Sequence, residues 1–197
     1  MQKMFDKYLG LTDLIAMLHD QSHVGGIGIK DFLTNDFRNK LLEEAKTVVY
    51  EPQPFKLKTN VIQDLESYTL KEEDIKFEFA LTLKREYEKL ISGIFERQYQ
   101  SQIVFQHYKK GSVGITPHRD YLRDRNIISV FVLDGAAKFY ICQGRTKKGA
   151  IELESSPGSL ILLRAPRNEN ELAIRPVHYL DKVTQERYSL ALRQVNQ

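Results

Sequence analysis

The chain has 197 residues, 42% of them hydrophobic and 28% charged, with a formal net charge of +3. That size and composition fit one globular domain with its own core, and they exclude a disordered or collagen-like chain. No apolar run is long enough to span a bilayer, and the mild positive charge contains no dominant Lys/Arg block that would by itself single out a nucleic-acid partner.

Met1 to Lys7 lacks the apolar stretch of a secretory signal, so no export leader is expected. Through residue 20, Phe5, Leu9, Leu11, Leu14, Ile15 and Leu18 recur at helical spacing, and Gly25-Gly26 breaks the pattern. Thr34 is placed to cap a helix running to about Val48, with Phe37, Leu41, Leu42 and Ala45 on one face. Residues 50–71, with Pro52, Pro54 and Asn60 among short apolar runs, read as a loop-rich insertion or a small hairpin. Glu72 to Phe95 is helical by pattern, although its first residues alternate and the helix could begin only near Ala80.

From Ser101 the period changes to two. Ile103–Phe105, Ile127–Leu133, Lys138–Ile141, Ile151–Leu153, Ser159–Leu163 and Arg187–Arg193 read as strands. Turn signals at Lys110-Gly111, Asp134-Gly135, Gln143-Gly144-Arg145 and Pro157-Gly158 separate them. Helices first and short strands after predict an α+β chain whose second half is a sandwich or barrel. Cys142, the only cysteine, falls in one of these strands. It rules out an internal disulfide and fits a small buried residue in a reducing, cytoplasmic setting.

Chemistry concentrates in this second half. His118 and Asp120 form an H-x-D pair, and on an extended chain residues two apart face the same way, with Arg119 pointing outward. The bland reading of such a pair is a solvated turn after Pro117, and a lone His178 would ordinarily be a satisfied core or surface residue. Together, two histidines and a carboxylate are the ligand set of a facial non-haem Fe(II) site, which leaves positions open for a co-substrate and O2. Arg187 and Arg193 are an even number apart, so they share a strand face with Ser189 and Ala191, while Tyr188, Leu190 and Leu192 face the core. The bland reading is a polar edge-strand face. Inward arginines, however, are costly without an anion, and a dicarboxylate would supply one through bidentate pairing.

These residues resemble the Fe(II)/2-oxoglutarate dioxygenases, and within them the AlkB-type family, from about Phe105 to Gln194. Phe105-Gln-His-Tyr108-Lys-Lys-Gly111, His118-Arg-Asp120, Ile128-Ser-Val130, Pro157-Gly-Ser-Leu-Ile-Leu and the R-x5-R ending Arg187–Arg193 carry the resemblance. It implies one domain over 1–197, with a helical and lid region at 1–100 and a double-stranded β-helix (jelly-roll) catalytic core at 101–197. His118, Asp120 and His178 would bind Fe(II). Arg187, helped by Tyr108 and Ser189, would take the far carboxylate of 2-oxoglutarate, and Arg193 would lie near its iron-chelating end. Gln106 stands where the family often has Asn. Leu122 stands where nucleic-acid repair members often carry a second acidic residue, with Asp124 two positions further on. Tyr121, Arg123 and Tyr50 are candidate substrate contacts, and packing or a solvated loop is the bland reading for each. The implied substrate is an alkylated nucleobase that is demethylated, or alternatively a small metabolite, peptide or protein side chain that is hydroxylated. A non-catalytic jelly-roll binding module need not retain the ligands and arginine together, and a zinc hydrolase leaves the arginines unexplained. A monomer, working without a membrane, is expected.

Overall fold

The structure is a computed structural model that describes residues 4–5, 10–20, 22–57, 59–71 and 73–195. Its elements in chain order are α1 (Leu11–Leu18), β1 (Gly26–Ile29), α2 (Asn35–Thr47), β2 (Glu51–Pro52), β3 (Glu66–Thr69), α3 (Glu78–Leu90), β4 (Ser101–Tyr108), β5 (Ile115–His118), β6 (Asp124–Asp134), β7 (Lys138–Cys142), β8 (Ile151–Leu153), β9 (Leu160–Arg164), β10 (Val177–Asp181) and β11 (Arg187–Val195), with a 3-10 turn at Glu169–Ile174 before β10. A seven-stranded sheet runs β1-β9-β6-β11-β4-β3-β2 and a four-stranded sheet runs β5-β10-β7-β8. Every pairing between them is antiparallel. This is the expected double-stranded β-helix.

The two faces of the large sheet explain its sequence. Leu160 and Leu162 of β9 and Leu190 and Leu192 of β11 pack under the helices. Ile161, Leu163 and Ala191, one residue out of phase, pack between the two sheets. A strand covered on both faces reads as a continuous apolar run, as β6 and β9 do. Gly28 of β1 passes so close to β8 that a Cβ there would lie 2.5 Å from the backbone N and O of Glu154.

The helices cover one face of the large sheet. Thr34 caps α2 by accepting from the Phe37 N–H at 3.4 Å, as its position predicts. Glu44 of α2 accepts from the N–H groups of Phe79 and Ala80 at 2.7 and 2.9 Å, so one helix satisfies orphan donors at the start of the next. Leu9 and Glu72, both in the sequence pattern for helices, lie outside the described residues. α3 ends at Leu90 rather than Phe95, because the chain turns from Ile91 and Gly93 takes φ 81.

The first hundred residues contribute strands as well as helices. They supply β1, β2 and β3 to the large sheet. Residues 62–64 also lie along β5. Gln63 bridges Ile115, the Thr116 N–H donates to the Ile62 carbonyl at 2.9 Å, and the Asp64 N–H donates to the Gly114 carbonyl at 2.8 Å.

Candidate metal and 2-oxoglutarate site

β5 ends on His118, and β10 brings His178 directly opposite it as its register partner. The ring centroids stand 4.3 Å apart. Asp120 follows two residues after His118, and its Oδ2 lies 3.3 Å from His178 Nε2. One ligand atom from each of the three side chains falls within 4.8 Å of the others. Each imidazole is oriented from behind. His118 Nδ1 donates to the Thr116 carbonyl at 2.9 Å and His178 Nδ1 to the Pro176 carbonyl at 3.3 Å, which leaves Nε2 as the lone-pair nitrogen. Phe139 lies parallel to the His178 ring, at 5.5 Å and 11°.

The electrostatics suit a cation. Burial, and then the neighbouring His178, push His118 down to about 4, so it is neutral and free to ligate at neutral pH. Burial alone would raise the Asp120 carboxyl, but Arg193 and the two imidazoles outweigh it and hold Asp120 well below the usual carboxylate range. Nitrogen and carboxylate donors without thiolate are a set that suits Fe(II).

A second cation stands in the same pocket. Arg187 is 1% exposed. Its Nη1 donates to the Ser155 carbonyl at 3.1 Å, and its buried Nε has no partner. Among the described residues no carboxylate pairs with it, and burial lowers it to about 10. Tyr108 is its cross-strand partner, and burial pushes that phenol up to about 12. Ser189 Oγ donates to Gln106 Oε1 at 3.2 Å. Gln106, Tyr108, Arg187, Ser189 and Arg193 line one cavity with the His-Asp-His triad, walled by Ile115, Ile128, Val130, Leu163 and Leu180. A buried guanidinium with no carboxylate partner among the described residues, in a pocket of mixed polar and aliphatic lining beside the triad, fits a dicarboxylate.

Arg193 lies beside the triad, on the metal-ligand candidate Asp120. Its Nη1 donates to Asp120 Oδ1 at 2.9 Å and to Asp124 Oδ2 at 3.0 Å. Tyr121 and Arg123 sit on the exposed loop between β5 and β6, with the guanidinium 5.6 Å from the ring centroid. Tyr50 is on the helix side of the large sheet. Its hydroxyl donates to the Ala45 carbonyl at 2.9 Å, and its ring packs on His107 at 5.2 Å and Tyr188 at 6.3 Å. His107 lies between Gln106 and Tyr108, so Tyr50 is on the opposite face from the pocket. Sequence reasoning gave no role to Asp124, to the Phe139 ring against His178, or to Arg175, whose Nη1 donates to the Asp120 carbonyl at 2.6 Å.

No family model matches the chain. No curated protein matches it either. Solved structures do. A Trichoplax adhaerens prolyl hydroxylase, in complex with a peptide fragment of the hypoxia-inducible-factor oxygen degradation domain, superposes with TM-score 0.70 at 16% identity, over 96% of this chain and 94% of that one. A Pseudomonas putida prolyl-4-hydroxylase gives TM-score 0.69 at 15% identity, over 96% and 99%. An oxidoreductase of the 2OG-Fe(II) oxygenase family from Burkholderia pseudomallei gives 0.62 at 15%, over 98% and 93%. At these identities the likeness is one of fold: the chain has the architecture of the 2OG-Fe(II) oxygenases across nearly its whole length.

Proposed function

We propose that the protein is an Fe(II)- and 2-oxoglutarate-dependent dioxygenase that hydroxylates a C–H bond of its substrate. The observation that carries this reading is one cavity holding both a convergent His-Asp-His triad and the buried Arg187 guanidinium, whose Nε has no partner. When bound, Fe(II), 2-oxoglutarate and O2 supply the oxidising chemistry, giving succinate, CO2 and a hydroxylated substrate carbon.

The chain's own residues have distinct tasks. His118, Asp120 and His178 present one face of ligands and leave the other face open. Arg187 holds the far carboxylate of 2-oxoglutarate, and Tyr108, kept protonated, has an O–H to donate beside it. Ser189 and Gln106 complete the polar wall. The aliphatic residues opposite exclude water, which strengthens the charged contacts.

We take hydroxylation of a peptide, protein side chain or small metabolite as the primary reading of the substrate, supported by the prolyl hydroxylases among the structures of like fold. The R-x5-R ending supports an AlkB-type subgroup and, with Tyr121 and Arg123 exposed beside the triad, a second reading: demethylation of an alkylated nucleobase. Hydroxylation of a carbon next to nitrogen gives an unstable hemiaminal, so the same active site would demethylate there. The buried free Cys142 fits a cytoplasmic setting, and no helix is long and apolar enough to cross a membrane.

Titration of Fe(II) and 2-oxoglutarate into the protein without oxygen tests the class. A visible charge-transfer band in the wild type, lost in Asp120→Ala and needing far more 2-oxoglutarate in Arg187→Ala, supports it. A folded protein that gives no band sinks it. Succinate release with methylated oligonucleotides against peptide pools separates the two substrate readings, and binding to nucleic acid should weaken steeply with salt.

A further inference from the structure

We propose that Asp124 is a positioning residue for the metal site, holding Arg193 so that it occupies one oxygen of Asp120 and leaves the other for the ion. The proposal rests on the reading of the triad as an iron site. A single nitrogen, Arg193 Nη1, bridges Asp120 Oδ1 at 2.9 Å and Asp124 Oδ2 at 3.0 Å. The remaining oxygen of Asp120, Oδ2, is the one 3.3 Å from His178 Nε2, on the side where the ligand atoms converge. Arg193 thereby divides the carboxylate between a fixed oxygen and a ligating one. Partners behind a ligand commonly set metal affinity in this way.

Charge favours a second carboxylate here, with Arg175 already bonded to the Asp120 carbonyl. An uncompensated guanidinium against a ligand carboxylate would repel an incoming cation. Asp124 supplies the second carboxylate, so the group of two carboxylates and one guanidinium keeps a single net negative charge for the metal. Asp124 is fully buried, at 0% exposure, a costly place for a carboxylate unless it is paired; Oδ2 takes the Arg193 bond, while Oδ1 has no partner.

The strand is also shaped for the contact. β6 and β11 lose register between Arg193 and Gln194. At this point Asn126 takes φ 57, a conformation Asn tolerates better than most residues. Asn126 is fastened there by donating from Nδ2 to the Arg97 carbonyl at 2.8 Å and to Gln194 Oε1 at 2.7 Å. An irregularity of this kind re-aims the residues beside it, and here it lies between Asp124 and the regular part of β6.

The test is Fe(II) binding by anaerobic calorimetry, followed by the charge-transfer band on adding 2-oxoglutarate. It uses the wild type, Asp124→Asn and Arg193→Lys. Asn keeps the shape of Asp124 and loses its charge. Lys keeps the cation but falls short of both carboxylates. The expected result is Fe(II) affinity roughly tenfold lower in each folded variant, with a displaced band. A purely structural salt bridge would instead lower the melting temperature of the metal-free protein and leave the Fe(II) affinity of the folded fraction unchanged. If Asp124→Asn does not fold, Arg193→Lys decides. Folded variants that bind Fe(II) like the wild type overturn this proposal alone. A wild type that takes up no Fe(II) overturns the iron reading and this proposal with it.

Discussion

Arg187 of the pocket is held by Ser155: the guanidinium gives one N–H to the Ser155 carbonyl at 3.1 Å and leaves its Nε buried without a partner. A buried charge with one neutral hydrogen bond destabilises the ligand-free protein. Arg187→Met should therefore weaken 2-oxoglutarate binding about 10- to 100-fold, the range for losing a charge-assisted pair. It should leave the melting temperature of the ligand-free protein unchanged or higher. Anaerobic titration beside thermal melts checks both halves, and unaltered 2-oxoglutarate affinity would exclude the assigned role.

Substitutions around the triad should divide cleanly. His178→Ala and Asp120→Ala should abolish Fe(II) uptake in folded protein. Tyr50→Phe removes only the hydrogen bond to the Ala45 carbonyl on the far face of the sheet. It should cost about 1 kcal/mol of stability and leave Fe(II) and 2-oxoglutarate binding intact. Loss of either ligand in Tyr50→Phe would place Tyr50 in the machinery after all.

The two helices on the large sheet are coupled through one carboxylate. Glu44→Ala removes the acceptor for the Phe79 and Ala80 N–H groups. By analogy with the loss of a helix cap, the cost is about 1 kcal/mol, or a few degrees in melting temperature. Fe(II) affinity should not move. A wild-type melting temperature would show that water replaces Glu44 without loss.

Acid should destabilise the fold partly through His19. Burial, and then Arg167, lower this imidazole from 6.5 to about 4. Between those values the unfolded chain binds the proton and the folded chain does not. Stability therefore rises with pH across the window, and the contribution, complete above 6.5, is lost as pH falls toward 4. His19→Gln should flatten the dependence of melting temperature on pH there, relative to wild type. The part that remains includes His118, which is depressed in the same direction. An unaltered slope would mean that His19 takes up its proton equally in both states.

The parts of the site carried by strand periodicity were legible from the sequence. Arg187, Ser189 and Arg193 are even steps along β11, and His118 closes β5 with Asp120 two residues on, just past the strand; all of them line one cavity. Features that depend on a partner strand were not. β1 contains two glycines and exists because β9 pairs with it. β2 and β3 lie in a proline-bearing stretch with no clean alternation. Asp124 reaches Arg193 beside a register break that no period of two contains. Tyr50 carries the aromatic ring a substrate contact would need, but local sequence does not say which face of a seven-stranded sheet its neighbours present.

β5 would be the bare margin of the small sheet but for residues 62–64 bonded along it. A margin of unpaired amides and carbonyls is a template on which another molecule can add a strand, the first step of ordered aggregation. In this chain the template is already filled by residues 62–64. The strand that presents His118 is thus closed to intermolecular pairing for as long as that short segment stays in place.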